Sequence, residues 1–194
     1  MIEKILPCIN HSRRISILGV ENKHYLSFSR GYNVLIGPNG SGKTTLLEST
    51  YSCKHCKIKQ SKKNLIKYLS IESLNENTLF KTNPIIRAII DSRATFSSEG
   101  QFAKESLSFQ NYSGEDCLLI DTPETGLDYN EEKEISKLIK KLSLKNDIQI
   151  ILATHSLRFI ENADRIIEFE KSYLERMLES NNETVKNLRK FNPS

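Results

Sequence analysis

The sequence predicts an α/β protein built on a doubly wound parallel sheet, and three observations carry that expectation. Gly37-Pro38-Asn39-Gly40-Ser41-Gly42-Lys43-Thr44 fits the pattern G-x-x-x-x-G-K-[ST] at every fixed position. Apolar runs of strand length alternate with stretches of helical period after it, which is the arrangement of a sheet covered by helices on both faces. Two segments near the N-terminus alternate with period 2 and predict a small antiparallel flank.

Composition sets the scale. With 194 residues, 38% of them hydrophobic and 27% charged, the chain has material for one core of ordinary size, and a single domain over 1–194 is expected. No apolar run approaches the ~20 residues of a membrane span, and Met1-Ile2-Glu3-Lys4 lacks the apolar stretch of a signal peptide, so a cytoplasmic protein without membrane insertion is expected. A net charge of +4 permits nucleic-acid contact without demanding it. The lysines Lys54, Lys57, Lys59, Lys62 and Lys63 read as a solvated loop in preference to a patch for a phosphate backbone. Cys53-Lys54-His55-Cys56 is a C-x-x-C, but Cys8 and Cys117 stand alone and no second pair completes four ligands, so the sequence weighs against a zinc site.

Taken in order, Arg14–Val20 and His24–Phe28 alternate about the turn residues Glu21-Asn22-Lys23 and predict a hairpin. Tyr32–Ile36 is a short buried-strand pattern, and a helix from the glycine-rich loop to about Tyr51 follows it. Glycines are needed there because backbone N–H groups must wrap a phosphate chain closely before the helix turns its positive end to the anion. Lys43 then reaches the β- and γ-phosphates, and the Thr44 hydroxyl ligates Mg²⁺. Asn64–Ile71 reads as a strand, and Asn83-Pro84 opens a helix through Ile85, Ile86, Ile89 and Ile90. Cys117–Asp121 is an apolar strand that ends in a carboxylate, expected as the strand next to the one that enters the phosphate loop, with its acid at the C-terminal edge to hold Mg²⁺ through the water shell. Tyr129 to Lys145 carries a one-sided stripe of Ile135, Leu138, Ile139 and Leu142, with acids first and lysines last. Ile148–Ala153 and Ile166–Phe169 are strands, and Lys171 to about Arg189 is one or two helices interrupted at Asn181-Asn182.

The hairpin leading into "FSRGYNVLIGPNGSGKTTLL" resembles the opening of ATP-binding cassette ATPases, in particular their soluble branch of chromosome-structuring and recombination-repair enzymes. Phe96-Ser97-Ser98-Glu99-Gly100-Gln101 resembles the cassette signature at Ser98, Gly100 and Gln101, with Glu99 in place of a glycine; Gln101 lies 20 residues before Asp121, the separation the cassette fold requires. Asp121 matches the Walker B acid, Leu127-Asp128 the loop that crosses to a partner subunit, and His155 in Thr154-His155-Ser156 the switch histidine. The resemblance covers residues ~13–170, with 171–194 as a helical extension.

What the resemblance implies is an ATPase using ATP and Mg²⁺. Gly37, Pro38, Asn39, Gly40, Ser41, Gly42, Lys43, Thr44 and Thr45 would bind the nucleotide, Thr44 and Asp121 the metal, and Ser98, Gly100, Gln101 and Asp128 would close over the ATP of a second head. One departure bears on catalysis. The glutamate expected after the Walker B acid is Thr122, which cannot take a proton at neutral pH; Glu124 is the nearest carboxylate, with Thr122 and His155 as aids, so slow hydrolysis is expected. Only 54 residues separate Lys43 from Ser97, too few for a long coiled coil. The chain is similar to compact head-only ATPases of bacterial and phage defence loci, which implies ATP-dependent pairing and a separate effector protein such as a nuclease. A transporter subunit, a nucleotide-gated module without hydrolysis and a P-loop kinase are the alternatives. The kinase leaves Asp128, Ser98 and Thr154-His155 unexplained.

Overall fold

The computed structural model describes residues 1–16, 25–61, 65–70, 117–125 and 127–189. A five-stranded, all-parallel sheet forms the centre. Its strands are β3 (Tyr32–Ile36), β5 (Ile66–Ser70), β6 (Cys117–Asp121), β7 (Gln149–Ala153) and β8 (Arg165–Glu168), in the order β5-β6-β7-β3-β8. Every residue of β3, β6 and β7 is buried, as expected of strands covered on both faces, and this is why they read as unbroken apolar runs.

Alternation within those strands sorts the core into two halves. Tyr32, Val34, Ile36, Leu118, Ile120, Ile150 and Leu152 face helices α3 (Tyr129–Asn146), α4 (Leu157–Ile160) and α5 (Tyr173–Arg189), through Ile135, Ile139, Leu142, Phe159 and the partly buried Tyr173. Leu35, Leu119, Ile151, Ala153, Ile167 and Phe169 face the other way, onto Leu46 and Leu47 of helix α2 (Lys43–Ser52). The sheet is therefore doubly wound, as predicted. Beside α2, a three-stranded antiparallel sheet of β1 (Ile2–Leu6), β2 (Leu26–Ser27) and β4 (Lys57–Gln60), in the order β2-β1-β4, closes the second half with Ile2, Ile5 and Leu26.

Four expectations are corrected. First, β2 (Leu26–Ser27) pairs with β1 (Ile2–Leu6), a strand not expected from the sequence, and Arg14–Ser16 leave the short helix α1 (Ile9–Ser12) and pack on the glycine-rich loop; residues 17–24, the rest of the expected hairpin, lie outside the described residues. There Ile15 is buried, Ser16 N donates to Ser41 O and Ser16 Oγ to Phe169 O, so these residues are spent on the loop and are not in a ladder. Second, the lysine-rich stretch is no plain loop: Lys57–Gln60 is strand β4, antiparallel to β1, with Lys57 and Lys59 exposed as charges on a sheet edge. Third, the strand that ends in Asp121 is not beside β3, because β7 lies between them. Fourth, Asn181-Asn182 do not interrupt the last helix; α5 runs through them, with Asn181 Nδ2 donating to Met177 O. Among the described side chains of α5, Tyr173, Leu174 and Met177 pack on the core, while Leu178 and Val185 are exposed. The helix expected at Ile85–Ile90, the signature residues Ser98, Gly100 and Gln101, and the helix after them lie outside the described residues.

Candidate active site

The site is assembled where β3, β6 and β7 end. The chain leaves β3 at Gly37 and enters α2 through Gly42, the residue that caps the helix. Gly42 has φ +95°, and a Cβ there would stand 2.3 Å from Arg14 O and 2.8 Å from Ile15 Cα, so both conformation and space demand glycine. The first turn of α2 aims N–H groups without intrahelical acceptors at the space over the loop, where the helix dipole favours an anion.

Lys43 is buried, and its Nζ donates to Gly37 O at 2.8 Å and Pro38 O at 3.0 Å. Burial lowers its pKa, and the charges of Asp121 and Glu124 oppose that drop. The structure thus brings the loop lysine, the Walker B acid and Glu124 into one electrostatic group. Asp121 is pushed above the ordinary carboxylate range by burial, offset in part by the Thr44 hydroxyl and the Tyr68 phenol. Tyr68 donates to Asp121 Oδ2 at 3.4 Å and stacks on Tyr51 at 5.8 Å between ring centroids. The sequence reading gave Tyr68 no part in the site; its place on the strand next to that of Asp121 was the only signal, and strand adjacency is not written in the sequence.

Thr122 has φ +44°, a left-handed conformation uncommon for a β-branched residue. Its N–H donates to Ala153 O, which ties the end of β6 to β7, and the turn that follows swings Glu124 to the end of β7. There Glu124 Oε1 accepts from His155 N at 2.6 Å. Burial raises the pKa of Glu124, against hydrogen bonds from the His155 N–H, its own backbone N–H and the Thr154 side chain. His155 is held below the usual imidazole value by burial and by the charge of Lys43, so it is neutral at pH 7. Glu124 and His155 thus meet at the end of β7, both within the field of Lys43.

Asp128 opens α3. Its Oδ1 accepts from Asn130 N and Glu131 N, and Glu131 Oε2 accepts from Asp128 N, a capping box at the start of α3. Ser156 caps α4 through Arg158 N and donates to Glu132 Oε2 at 2.6 Å. A cleft of about 700 Å³, lined by Ser16, Pro38–Ser41 and Glu168–Lys171, flanks the loop without including Lys43 or Asp121.

Among the described residues, three buried side-chain oxygens have no hydrogen-bond partner: Ser41 Oγ, Asp121 Oδ1 and Glu124 Oε2. All three belong to this site. Native proteins seldom leave such atoms unpaired; carboxylate oxygens suit a cation or a water molecule, and the Ser41 hydroxyl can donate to a phosphate oxygen.

The family model for the AAA domain matches residues 14–192. The chain belongs to that family of P-loop ATPases. Its relatives among known proteins include several ATP-binding proteins. The zinc import ATP-binding protein ZnuC of Rickettsia bellii (strain RML369-C) is 30% identical over 176 residues, 77% of this chain and 76% of that protein. ZnuC of Ehrlichia canis (strain Jake) is 27% identical over 209 residues, covering 87% of this chain and 86% of its own. The ATP-binding protein Uup of Buchnera aphidicola subsp. Schizaphis graminum is 30% identical over 170 residues, but these are 28% of its length. Among solved structures, the dimeric post-hydrolysis state of the cassette MJ0796 with ADP and Pi superposes with a TM-score of 0.50 at 17% identity, over 76% of this chain and 84% of that one. At that identity the likeness is one of fold, and it agrees with the doubly wound sheet described above. ATP, with Mg²⁺ as its usual partner ion, is the ligand of this family.

Proposed function

We propose that the protein binds Mg-ATP at the edge formed by β3, β6 and β7 and hydrolyses it slowly, with Glu124 as the group that orients and deprotonates water. The observation that carries the reading is the gathering of Asp121 and Glu124, each with an unpaired buried oxygen, about Lys43, on a loop whose Ser41 Oγ is unpaired as well. Lys43 and the loop Gly37–Thr45 would hold the phosphates, with Thr44 and Asp121 on the metal. When bound, Mg²⁺ supplies neutralisation of charge on the phosphate oxygens. A carboxylate whose pKa is raised by burial is better matched to a proton at neutral pH than a solvated one, and Glu124 meets that condition where Thr122 does not. Lys43→Ala should abolish binding of a fluorescent ATP analogue; unchanged affinity would overturn the reading.

The finer reading concerns what the ATP is for. We favour head-to-tail pairing of two chains on ATP, with Ser98 and Gly100 of one over the loop of the other, and with the paired state holding or releasing an effector protein such as a nuclease in a defence or DNA-repair setting. The surfaces free for that partner include the exposed outer half of α5, with Leu178 and Val185. The similarity to ZnuC favours a second reading, an ATP-binding subunit for a membrane transporter. Sedimentation with and without ATP tests the pairing: a chain that stays monomeric at high ATP and protein concentration contradicts it. Co-purification tests the output, since an effector and a membrane permease are different partners.

A further inference from the structure

A second cluster lies at the other end of α2 from Lys43. Cys53 caps the C-terminus of that helix, Cys56 follows it, and Cys8 and His11 come from the junction of β1 and α1. The fold thus brings a C-x-x-H and a C-x-x-C together, and the fourfold set that the sequence reading found missing is complete: one ligand atom from each of Cys8, His11, Cys53 and Cys56 lies within 4.8 Å of the others. Its second half was hidden because His11 and Cys8 are remote in sequence and His11 is not a cysteine.

The three ligand–ligand distances within hydrogen-bond reach lie close to the edges of a zinc tetrahedron. Zn–S bonds of about 2.3 Å and Zn–N bonds of about 2.0 Å give sulfur–sulfur edges of about 3.8 Å and sulfur–nitrogen edges of about 3.5 Å. Cys8 Sγ and Cys53 Sγ are 3.9 Å apart, Cys8 Sγ and His11 Nδ1 3.2 Å, and Cys56 Sγ and His11 Nδ1 3.6 Å. A disulfide needs sulfurs about 2.05 Å apart; all four cysteines are free thiols. Backbone groups support the sulfurs: Cys8 N donates to Cys56 Sγ at 3.4 Å, and the His55 and Cys56 N–H groups bond to the Cys53 sulfur. Such N–H···S contacts orient thiolate ligands and spread their charge.

We propose that Cys8, His11, Cys53 and Cys56 bind one structural Zn²⁺. Three sulfurs and one imidazole nitrogen make a closed Cys₃His set with no position left for water, so the role is to brace and not to catalyse. What it braces is the phosphate-loop helix. The segment that supplies Cys8 and His11 continues to Arg14 and Ile15, whose backbone abuts Gly42 at the start of α2, while the metal would clamp the same segment to Cys53 at its end. Zinc on the four side chains fixes α2 at both ends and with it the position of Lys43.

Metal content reads the proposal independently of nucleotide. Protein from zinc-supplemented culture is expected to carry about one zinc per chain, as a closed four-ligand site does. That zinc should be lost in Cys8→Ser and Cys56→Ser and kept in His55→Ala, since His55 sits between two ligands in sequence yet stands outside the cluster. Where a cysteine variant fails to fold, titration of the metal-stripped wild type with Co²⁺ decides: one equivalent should give the thiolate charge-transfer and tetrahedral ligand-field absorption. Wild type without zinc and without that cobalt spectrum overturns the site. So does zinc retained by Cys8→Ser, zinc lost from His55→Ala, or a Cys8–Cys53 disulfide in freshly purified protein.

Discussion

The two ends of the parallel sheet are built on opposite terms. At the end where the strands begin, polar side chains are fully engaged. Gln149 accepts from Ile2 N at 2.6 Å and donates to Ile2 O and Ser29 O, stitching the antiparallel sheet to β7. Asn33 bonds to Ser29, Gly31 and Ile150, and Asp164 accepts from Tyr32 N and from Lys140. At the end where the strands stop, two carboxylates are pushed above their ordinary range, a lysine and a histidine below theirs, and three oxygens have no partner. The contrast teaches that the first end supplies stability and the second surrenders some of it to be ready for a ligand.

The largest effect should come from undoing the satisfied end. Gln149→Ala removes three hydrogen bonds and strands the buried Ile2 N–H, and should cost about 3 kcal/mol in urea unfolding. A loss under about 1 kcal/mol would mean that water replaces the amide there.

At the ligand-ready end the sign should reverse. Glu124→Gln keeps the bond from His155 N and removes a carboxylate whose ionisation burial opposes, so it should raise stability by about 1 kcal/mol at pH 7. The folded pKa lies above the unfolded one. The penalty is therefore absent below the unfolded value, near 4.3, and grows as pH rises through the folded value, so the advantage of Gln should vanish in acid. A variant less stable than wild type at pH 7 would contradict the contrast between the ends.

Asp164 should show the smallest effect and the opposite pH course. Burial acts to raise its pKa, but Lys140 and the Tyr32 N–H outweigh that and hold it low. Its contribution should be complete above the unfolded value of about 3.9 and fade as pH falls through the lower folded one. Because the pair is partly exposed to solvent, Asp164→Asn should cost under about 1 kcal/mol, less at high salt.

How much was legible in the sequence follows the same division. β3, β6 and β7 are buried on both faces, and a strand of that kind shows itself as an apolar run. The glycine-rich loop is legible because its backbone tolerates only glycine at Gly42. Strands β1 and β4 were not, since Ile2–Leu6 and Lys57–Gln60 mix charge into an edge sheet whose lysines guard it. The order of the strands, and so the partnership of Tyr68 with Asp121 and of Glu124 with His155, is a long-range property that no local pattern records. Asn181-Asn182 misled because asparagine favours turns in general, yet on a solvent-facing helix it is merely a weak former.

The central claim is that Glu124, delivered by the left-handed turn at Thr122, does the work of the missing carboxylate. Phosphate release from ATP, measured side by side for wild type, Glu124→Gln and Thr122→Glu with nucleotide binding confirmed in each, tests it most directly. The account predicts slow turnover in the wild type, a drop of about 10²–10⁴-fold in Glu124→Gln with binding intact, and a gain in Thr122→Glu. Glu124→Gln turning over at the wild-type rate, while Thr122→Glu accelerates many-fold, would contradict it and leave the protein a nucleotide-gated module.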